Sequence, residues 1–182
     1  MTKRIAIYGP ESTGKTMLAE KLAAHFHAPL VTEYARERWD AQGGVLTLDD
    51  MLPVAHEQWR REDAAVAQWQ PMEGRPKMIL CDTDALTTML WSDLLYGTTP
   101  EELRRGAETR CRTYALYLLL DIDVPFAPDP QRCFPDAADR AQAMRLWQGA
   151  LDRRQLPYVL IRGDWAERER HAIAAINHLL SS

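Results

Sequence analysis

The stretch Gly9-Pro-Glu-Ser-Thr-Gly-Lys-Thr16 constrains the fold of this chain more than any other part of the sequence. It fits the Walker A pattern Gly-x-x-x-x-Gly-Lys-Thr in full. An apolar run, Arg4–Tyr8, precedes it, and the segment from Lys15 to about His27 follows it with apolar residues at i, i+4 and i+8 on one helical face. The order of strand, glycine-rich loop and helix predicts that backbone amides of the loop bind phosphate groups.

Each position of this loop has a chemical reason to bind a nucleoside triphosphate. Glycines let the backbone N–H groups curl around phosphate oxygens without a Cβ in the way. Lys15 neutralises charge between the β- and γ-phosphates, and Thr16 offers a hydroxyl to Mg²⁺. We therefore predict ATP and Mg²⁺ as cofactors. The predicted ATP-binding residues are Gly9, Glu11, Ser12, Thr13, Gly14, Lys15 and Thr16.

Short β runs alternate with helical stretches along the chain, which indicates a parallel α/β sheet. The predicted strands are Arg4–Tyr8, Leu30–Thr32, Lys77–Cys81, Ala115–Leu120 and Tyr158–Ile161. Helical patterns follow them at Lys15 to about His27, Leu48 to Trp69, Ala85–Leu95, Arg140–Arg154 and Trp165–Leu180. We predict an α/β protein with a three-layer P-loop kinase fold and a five-stranded parallel sheet, formed as a single domain by residues 1–182.

Composition and charge narrow the choice of partners. The net charge is −4, from 22 basic and 26 acidic residues, which argues against a nucleic-acid binder. No apolar run approaches the roughly 20 residues that a membrane helix needs. The N-terminal residues do not have the layout of a signal peptide, so we expect a cytoplasmic protein. The partner that we expect is a small-molecule substrate. The oligomeric state is left open.

Acidic side chains follow the second and third predicted strands, where ligands bind in open α/β sheets. Glu33 follows the second strand, and Asp82 and Asp84 follow the third. Phosphoryl transfer to an alcohol needs one carboxylate near the attacking hydroxyl and another near the metal. We predict that Asp82 holds Mg²⁺ together with Thr16. The alternatives are helix N-capping by Asp82 or Asp84 and a surface ion pair of Glu33 with Arg36.

Three further acidic residues follow the last two predicted strands. Asp121 and Asp123 come after the fourth strand, and Asp164 comes after the fifth. For Asp121 and Asp123 we expect the role of loop caps rather than of site residues.

A segment rich in proline and arginine connects the fourth and fifth strands. Kinases use cations that close over the transferring phosphoryl group and exclude water. We predict a lid at about residues 126–140, with Asp129, Arg132 and Arg140 as lid residues and Arg132 acting in catalysis. The alternative is a solvated charged loop whose arginines form ion pairs or interact with a helix dipole.

Taken together, these motifs resemble the ribosylnicotinamide kinase domain of the NadR type. They occur in the order of that family and cover nearly the whole chain. The motifs are Gly9–Thr16, Glu33-Tyr-Ala-Arg-Glu37, Asp82-Thr-Asp84 with Thr87-Thr88, and the segment from Asp121 to Arg132.

The resemblance implies a reaction in NAD biosynthesis, the transfer of the ATP γ-phosphate to the 5′-hydroxyl of nicotinamide riboside, which gives nicotinamide mononucleotide. The implied catalytic residues are Lys15, Glu33, Asp82 and Arg132. The implied substrate-binding residues are Glu33, Tyr34, Arg36, Asp82 and Asp84.

The sequence also departs from the family pattern. Thr32 stands where the family usually has a tryptophan suited to stacking on the nicotinamide ring, and Pro130 replaces a lid glycine. Trp39, Trp59 and Trp91 are candidates for the missing aromatic face. A kinase for another nucleoside or small alcohol, and a P-loop ATPase that acts as a regulatory switch, therefore stay open as alternatives.

Overall fold

Short apolar segments form one parallel sheet in the computed structural model, which describes residues 1–181. The strands are Lys3–Tyr8 (β1), Leu30–Val31 (β2), Met78–Asp82 (β3), Tyr114–Leu120 (β4) and Tyr158–Ile161 (β5). Their order across the sheet is β2-β3-β1-β4-β5, and all neighbouring strands are parallel. The predicted five-stranded parallel sheet is confirmed.

Helices connect the strands and cover the sheet. They are Lys15–Phe26 (α1), Tyr34–Ala41 (α2), Leu48–Gln68 (α3), Ala85–Tyr96 (α4), Glu101–Arg110 (α5), Ala137–Arg154 (α6) and Trp165–Ser181 (α7), with a 3₁₀ turn at Cys111–Thr113. The sequence analysis missed α2 and α5, because both are highly charged and bury few or no apolar side chains. Within residues 1–181, no helix has both the length and the apolar character of a membrane span.

Alternation of side chains along the central strand β1 produces the three layers. Ile5 and Ile7 lie in a core with residues of α1 and α7, whereas Ala6 and Tyr8 lie in a core with residues of α3 to α6. From Ile5 to Tyr8 both faces of β1 are fully buried, as expected of a parallel strand that helices cover on both sides. The predicted three-layer architecture is confirmed.

The sheet order determines which loops can meet at its carboxyl edge. The Walker A loop follows the central strand β1. Glu33 follows β2, and Asp82 ends β3, so both lie on one side of β1. The segments after β4 and β5 lie on the other side. This edge is where ligands bind in open α/β sheets.

The predicted lid differs from the structure at its end. Residues 121–136 contain neither helix nor strand, and α6 begins at Ala137. Arg140 therefore lies in the first turn of a helix rather than in the loop.

Candidate active site

The two glycines of the Walker A loop are required by the geometry of the backbone and its neighbours. Gly9 has φ of +146°, and a Cβ there would lie 2.9 Å from the carbonyl oxygen of Leu120. Gly14 has φ of +83°, and a Cβ there would lie 2.5 Å from the indole ring of Trp165. Side chains at either position would strain the backbone and collide with a neighbour, so only glycine fits.

The start of α1 offers unpaired amide groups to an anion. Gly14 occupies the N-cap position and has no side chain to satisfy them. The Lys15 ammonium donates to the carbonyl oxygen of Pro10 at 2.8 Å. Burial lowers the pKa of Lys15, and the negative charges of Glu33 and Asp82 oppose that shift. Lys15 therefore lies within electrostatic reach of both carboxylates and beside the helix terminus.

Asp82 and Thr16 meet beside the loop. The Thr16 hydroxyl donates to Asp82 Oδ2 at 2.6 Å, and Asp82 is only 2% exposed. Its other oxygen, Oδ1, has no hydrogen-bond partner within residues 1–181. Burial raises the pKa of Asp82, while the Thr16 hydrogen bond and the Lys15 charge lower it. An unpaired buried carboxylate oxygen next to a threonine hydroxyl fits a magnesium ion, which takes few protein ligands and binds phosphates as well.

Glu33 holds its carboxylate free for a ligand. It occupies the N-cap position of α2, yet its side chain makes no capping hydrogen bond and lines the cavity described below. Burial raises the pKa of Glu33, and the charge of Asp82 raises it further, whereas Lys15 lowers it. The start of α2 is held instead by Gln58, whose side-chain oxygen accepts from the Tyr34 amide at 2.9 Å.

Asp84 has the geometry of a helix N-cap, one of the alternatives that the sequence left open. Its carboxylate accepts from the amides of Leu86 and Thr87, each at 2.9 Å, and from the Thr87 hydroxyl at 2.8 Å. The residue is fully buried and does not line the cavity. Tyr34 does not line it either, and its ring lies under the Arg61 guanidinium.

One large cavity joins the loop to a group of apolar side chains. Its volume is about 790 Å³. Residues Glu11–Met17, from the Walker A loop and the first turn of α1, line what we call the phosphate end together with Glu33 and Arg36. The opposite part, which we call the aromatic end, is lined by Trp39, Val45, Leu46, Met51, Val54, Trp91, Leu95 and Tyr96.

Two of the three tryptophans that the sequence proposed as an aromatic face lie at this cavity. Trp39 and Trp91 line it, whereas Trp59 packs against Gly106 and does not. Thr32 is exposed, and its hydroxyl donates to Glu37 at 3.4 Å. The position at which the family carries its tryptophan is therefore not part of the cavity wall.

The lid loop is docked on the Walker A loop through two side chains. The Glu11 carboxylate accepts from the amides of Cys133 and Phe134, at 2.9 Å and 2.6 Å. The Ser12 hydroxyl accepts from the Ala127 amide at 2.8 Å. Both side chains belong to the predicted ATP-binding set, but their contacts here hold the lid.

The predicted lid residues divide into two groups. Arg132 lines the cavity and donates to the Ala127 carbonyl, and Asp129 forms an ion pair with Arg36 at 3.3 Å. Arg140 donates instead to the Val124 carbonyl at 2.9 Å and does not line the cavity. Arg132 and Asp129 thus lie in the docked part of the lid, whereas Arg140 holds the base of the loop.

The acidic residues after β4 and β5 have structural partners. Asp123 accepts from the Gly163 amide at 2.7 Å and from the buried guanidinium of Arg168. Asp121 pairs with Arg162 at 2.9 Å, and Asp164 accepts from the Glu167 amide at 2.8 Å at the start of α7. None of the three acids lines the cavity. Asp121 and Asp123 therefore have the loop-cap role that the sequence favoured.

Sequence analysis assigned no role to Gln58, Arg168 or Trp165. Gln58 and Glu62 interrupt the apolar face of α3, a pattern that indicates buried polar partners. Arg168 lies on the buried face of α7 with Ala172 and Ile176, and its guanidinium donates to the Thr13 carbonyl at 2.9 Å. For Trp165 the sequence gave no signal, because its neighbour Gly14 lies 151 positions earlier in the chain.

Comparison with known proteins supports this description. A family model described as AAA domain matches residues 4–168. A solved structure of NadR in complex with NR has a TM-score of 0.77 at 24% identity, over 100% of this chain and 52% of that chain. NadR in complex with NAD and AMP-PNP gives a TM-score of 0.75 at 23% identity, over 100% of this chain and 50% of that one.

A thymidylate kinase from Ehrlichia chaffeensis shares the same fold. Its TM-score is 0.68 at 13% identity, over 96% of this chain and 98% of that chain. The P-loop kinase fold is therefore confirmed. The chain spans about half the length of the NadR chains that it matches.

Proposed function

We propose that this chain, which belongs to the AAA domain family, is an ATP-dependent P-loop kinase that phosphorylates the 5′-hydroxyl of nicotinamide riboside. One observation carries this proposal: Lys15, Glu33 and Asp82 lie within electrostatic reach of one another beside the Walker A loop. Lys15 and Glu33 line a cleft that continues to the aromatic end, and Asp82 contacts the lining residue Thr16. This arrangement suits transfer of a phosphoryl group to an alcohol.

In this proposal the Walker A loop binds the triphosphate through its amides and Lys15. Thr16 and Asp82 would hold Mg²⁺, which neutralises charge on the phosphates when it is bound. Arg132 lines the cavity from the docked lid and adds a second positive charge near Lys15. These cations stabilise the negative charge that shifts toward the leaving oxygen during transfer.

Glu33 is the group that we assign to the acceptor hydroxyl. A bond forms between the acceptor oxygen and the γ-phosphorus, the bond from that phosphorus to the β,γ-bridging oxygen breaks, and Glu33 accepts the hydroxyl proton. Burial raises the pKa of Glu33, which makes it a better proton acceptor than an exposed glutamate. Asp82 is engaged by Thr16 and is the weaker candidate for this role.

Nicotinamide riboside suits the cavity for two reasons. Its ring is cationic, and the aromatic end offers Trp39, Trp91 and Tyr96, whose faces attract cations. The ribose would then lie between that end and Glu33. The likeness to NadR in complex with NR supports the same acceptor.

Another nucleoside is the second candidate, and a specific observation favours it. Thr32 does not line the cavity, and the aromatic side chains of the aromatic end come from α2 and α4 instead of from the position that the family uses. A wall with different geometry can accept a different base. The shared fold with a thymidylate kinase is compatible with this alternative.

The test is incubation of the full chain with ATP·Mg²⁺ and one acceptor at a time, with products identified by mass spectrometry. The acceptors are nicotinamide riboside, uridine, adenosine and ribose. We expect nicotinamide mononucleotide and the highest kcat/KM for nicotinamide riboside. A tenfold preference for another acceptor, about 1.4 kcal/mol of transition-state discrimination, would move the assignment to that acceptor. ATP hydrolysis without phosphorylation of any acceptor would instead indicate a nucleotide-dependent switch.

A further inference from the structure

Trp165 lies next to the Walker A loop and has no role in the site described above. It is the first residue of α7, and 45% of it is exposed. A Cβ on Gly14 would lie 2.5 Å and 2.9 Å from two carbon atoms of the Trp165 ring. The indole therefore forms a wall directly beside the start of α1, where phosphate groups are expected.

The buried guanidinium of Arg168 lies against this indole. The Arg168 guanidinium lies over the ring, 5.6 Å from its centre, and Arg168 is 1% exposed. The same guanidinium donates to the Thr13 carbonyl at 2.9 Å and to the Gly163 carbonyl at 2.9 Å. One cation thus joins the Walker A loop to the indole, and the ring is held in place while much of its surface remains in contact with solvent.

A second apolar side chain extends the wall. Met17 is 41% exposed, and it lines the cavity together with Gly14 and Trp165. Exposed large apolar residues are commonly scattered singly on protein surfaces, but these two flank one glycine at a helix start. We therefore expect this part of the cavity to bind a ligand with an apolar face.

The sheet order indicates which part of a ligand reaches this wall. Glu33 and Asp82 follow β2 and β3, on one side of β1, whereas Trp165 follows β5, on the other side. A triphosphate in the Walker A loop has its transferring phosphate beside those carboxylates. The rest of the nucleotide must then leave the loop on the side of Trp165.

We propose that Trp165 is the stacking platform for the base of the phosphate donor, and that this site takes a purine nucleoside triphosphate. The inference rests on the proposed binding of a triphosphate in the Walker A loop. An indole stacks on any base, and its contact is larger with a purine than with a pyrimidine. Trp165 is thereby a binding residue for the donor and has no part in acceptor choice.

Binding measurements by calorimetry test this without any acceptor. The ligands are ADP, UDP and inorganic tripolyphosphate, and the proteins are the wild-type chain, Trp165→Ala and Trp165→Phe. In Trp165→Ala we expect ADP affinity to fall about 10- to 100-fold, the range measured for loss of one base–aromatic stack. Tripolyphosphate affinity should be unchanged, because it has no base. Trp165→Phe should retain most of the ADP affinity, and the preference of the wild-type chain for ADP over UDP should shrink in Trp165→Ala.

Two results would overturn the inference while leaving the proposed function intact. One is an ADP affinity in Trp165→Ala equal to that of the wild-type chain. The other is an equal loss of ADP and tripolyphosphate affinity, which would show that Trp165 only shapes the loop through Gly14. A wild-type chain that binds neither ADP nor tripolyphosphate would refute the proposed function together with this inference.

Discussion

The phosphate end of the cavity comes largely from one continuous stretch of chain, whereas the aromatic end is assembled from distant segments. Residues Glu11–Met17 line the first. The second takes Trp39 from α2, Leu46 from the following loop, and Trp91 and Tyr96 from α4. A contiguous loop fixes its own geometry through backbone conformation. The aromatic end depends on how separate elements pack, for example through the Tyr96 hydroxyl, which donates to the Leu46 carbonyl at 2.7 Å.

The two ends also rest on different buried polar groups. The buried guanidinium of Arg168 donates to the Thr13 carbonyl beneath the phosphate end. Beneath the start of α2, Gln58 accepts from the Tyr34 amide and donates to Glu62, and Glu62 accepts from the Tyr114 hydroxyl at 2.7 Å. The support of α2, which carries Trp39, therefore includes Glu62, whose pKa burial raises to about 7.

The largest expected effect comes from removing the charge of the phosphate end. Lys15→Ala should lower kcat by about 100-fold or more with any acceptor, because one central electrostatic contact to the shifting phosphate charge is lost. The measurement is the initial rate with ATP·Mg²⁺ and nicotinamide riboside. Far-ultraviolet circular dichroism should show an unchanged fold.

Lys77→Ala is the matched control for this change. Lys77 is exposed and precedes β3 on the side of the molecule opposite to the loop, so its removal should leave the rate unchanged. Near wild-type turnover in Lys15→Ala would contradict the proposed role of the Walker A loop in catalysis.

A smaller effect distinguishes two carboxylates that stand two positions apart. Asp82→Asn should reduce kcat far more than it reduces ATP affinity, because the amide keeps the shape but loses the charge next to the metal position. Asp84→Ala should instead lower the free energy of unfolding, by about 1–2 kcal/mol for the lost helix cap. Steady-state kinetics and urea denaturation of both variants give the comparison. Equal activity of Asp82→Asn and the wild-type chain would assign Asp82 a structural role.

The same pair shows how far the sequence can predict this site. The pattern Asp82-Thr-Asp84 after an apolar strand predicts two acids at the sheet edge, and both residues are there. Which of them contacts Thr16 of the Walker A loop and which caps α4 depends on where the backbone turns into α4, with Thr83 at φ of +83°. A sequence pattern does not encode that turn, so both roles stayed open for both residues.

The sheet, its layers and the Walker A loop could be predicted because apolar periodicity and glycine positions are local signals. The aromatic end could be predicted only as a set of candidates, Trp39, Trp59 and Trp91, of which the first and last line the cavity. The sequence could not separate them, because the choice depends on how distant elements pack and because the charged sequence of α2 conceals the helix that carries Trp39. The contacts of Glu11 with Cys133 and Phe134 were missed for a related reason. They join residues more than 120 positions apart, and only the folded lid brings them together.

The smallest effect on turnover is expected from the titrating support beneath α2, because Glu62 does not line the cavity. Burial raises the pKa of Glu62 from its ordinary value of 4.5 to about 7. Between these values the unfolded chain has lost the Glu62 proton and the folded chain keeps it, so the free energy of unfolding falls as pH rises and levels off above about pH 7. Glu62→Gln should remove this fall, which is about 3 kcal/mol. The measurement is urea denaturation at pH 5 and pH 8.

Glu57→Gln is the matched control on the same helix, because the hydrogen bonds from Arg60 and Arg61 lower the pKa of Glu57 and keep it ionised throughout this range. A Glu62→Gln variant with the pH dependence of the wild-type chain would show that Glu62 does not keep its proton in this pH range.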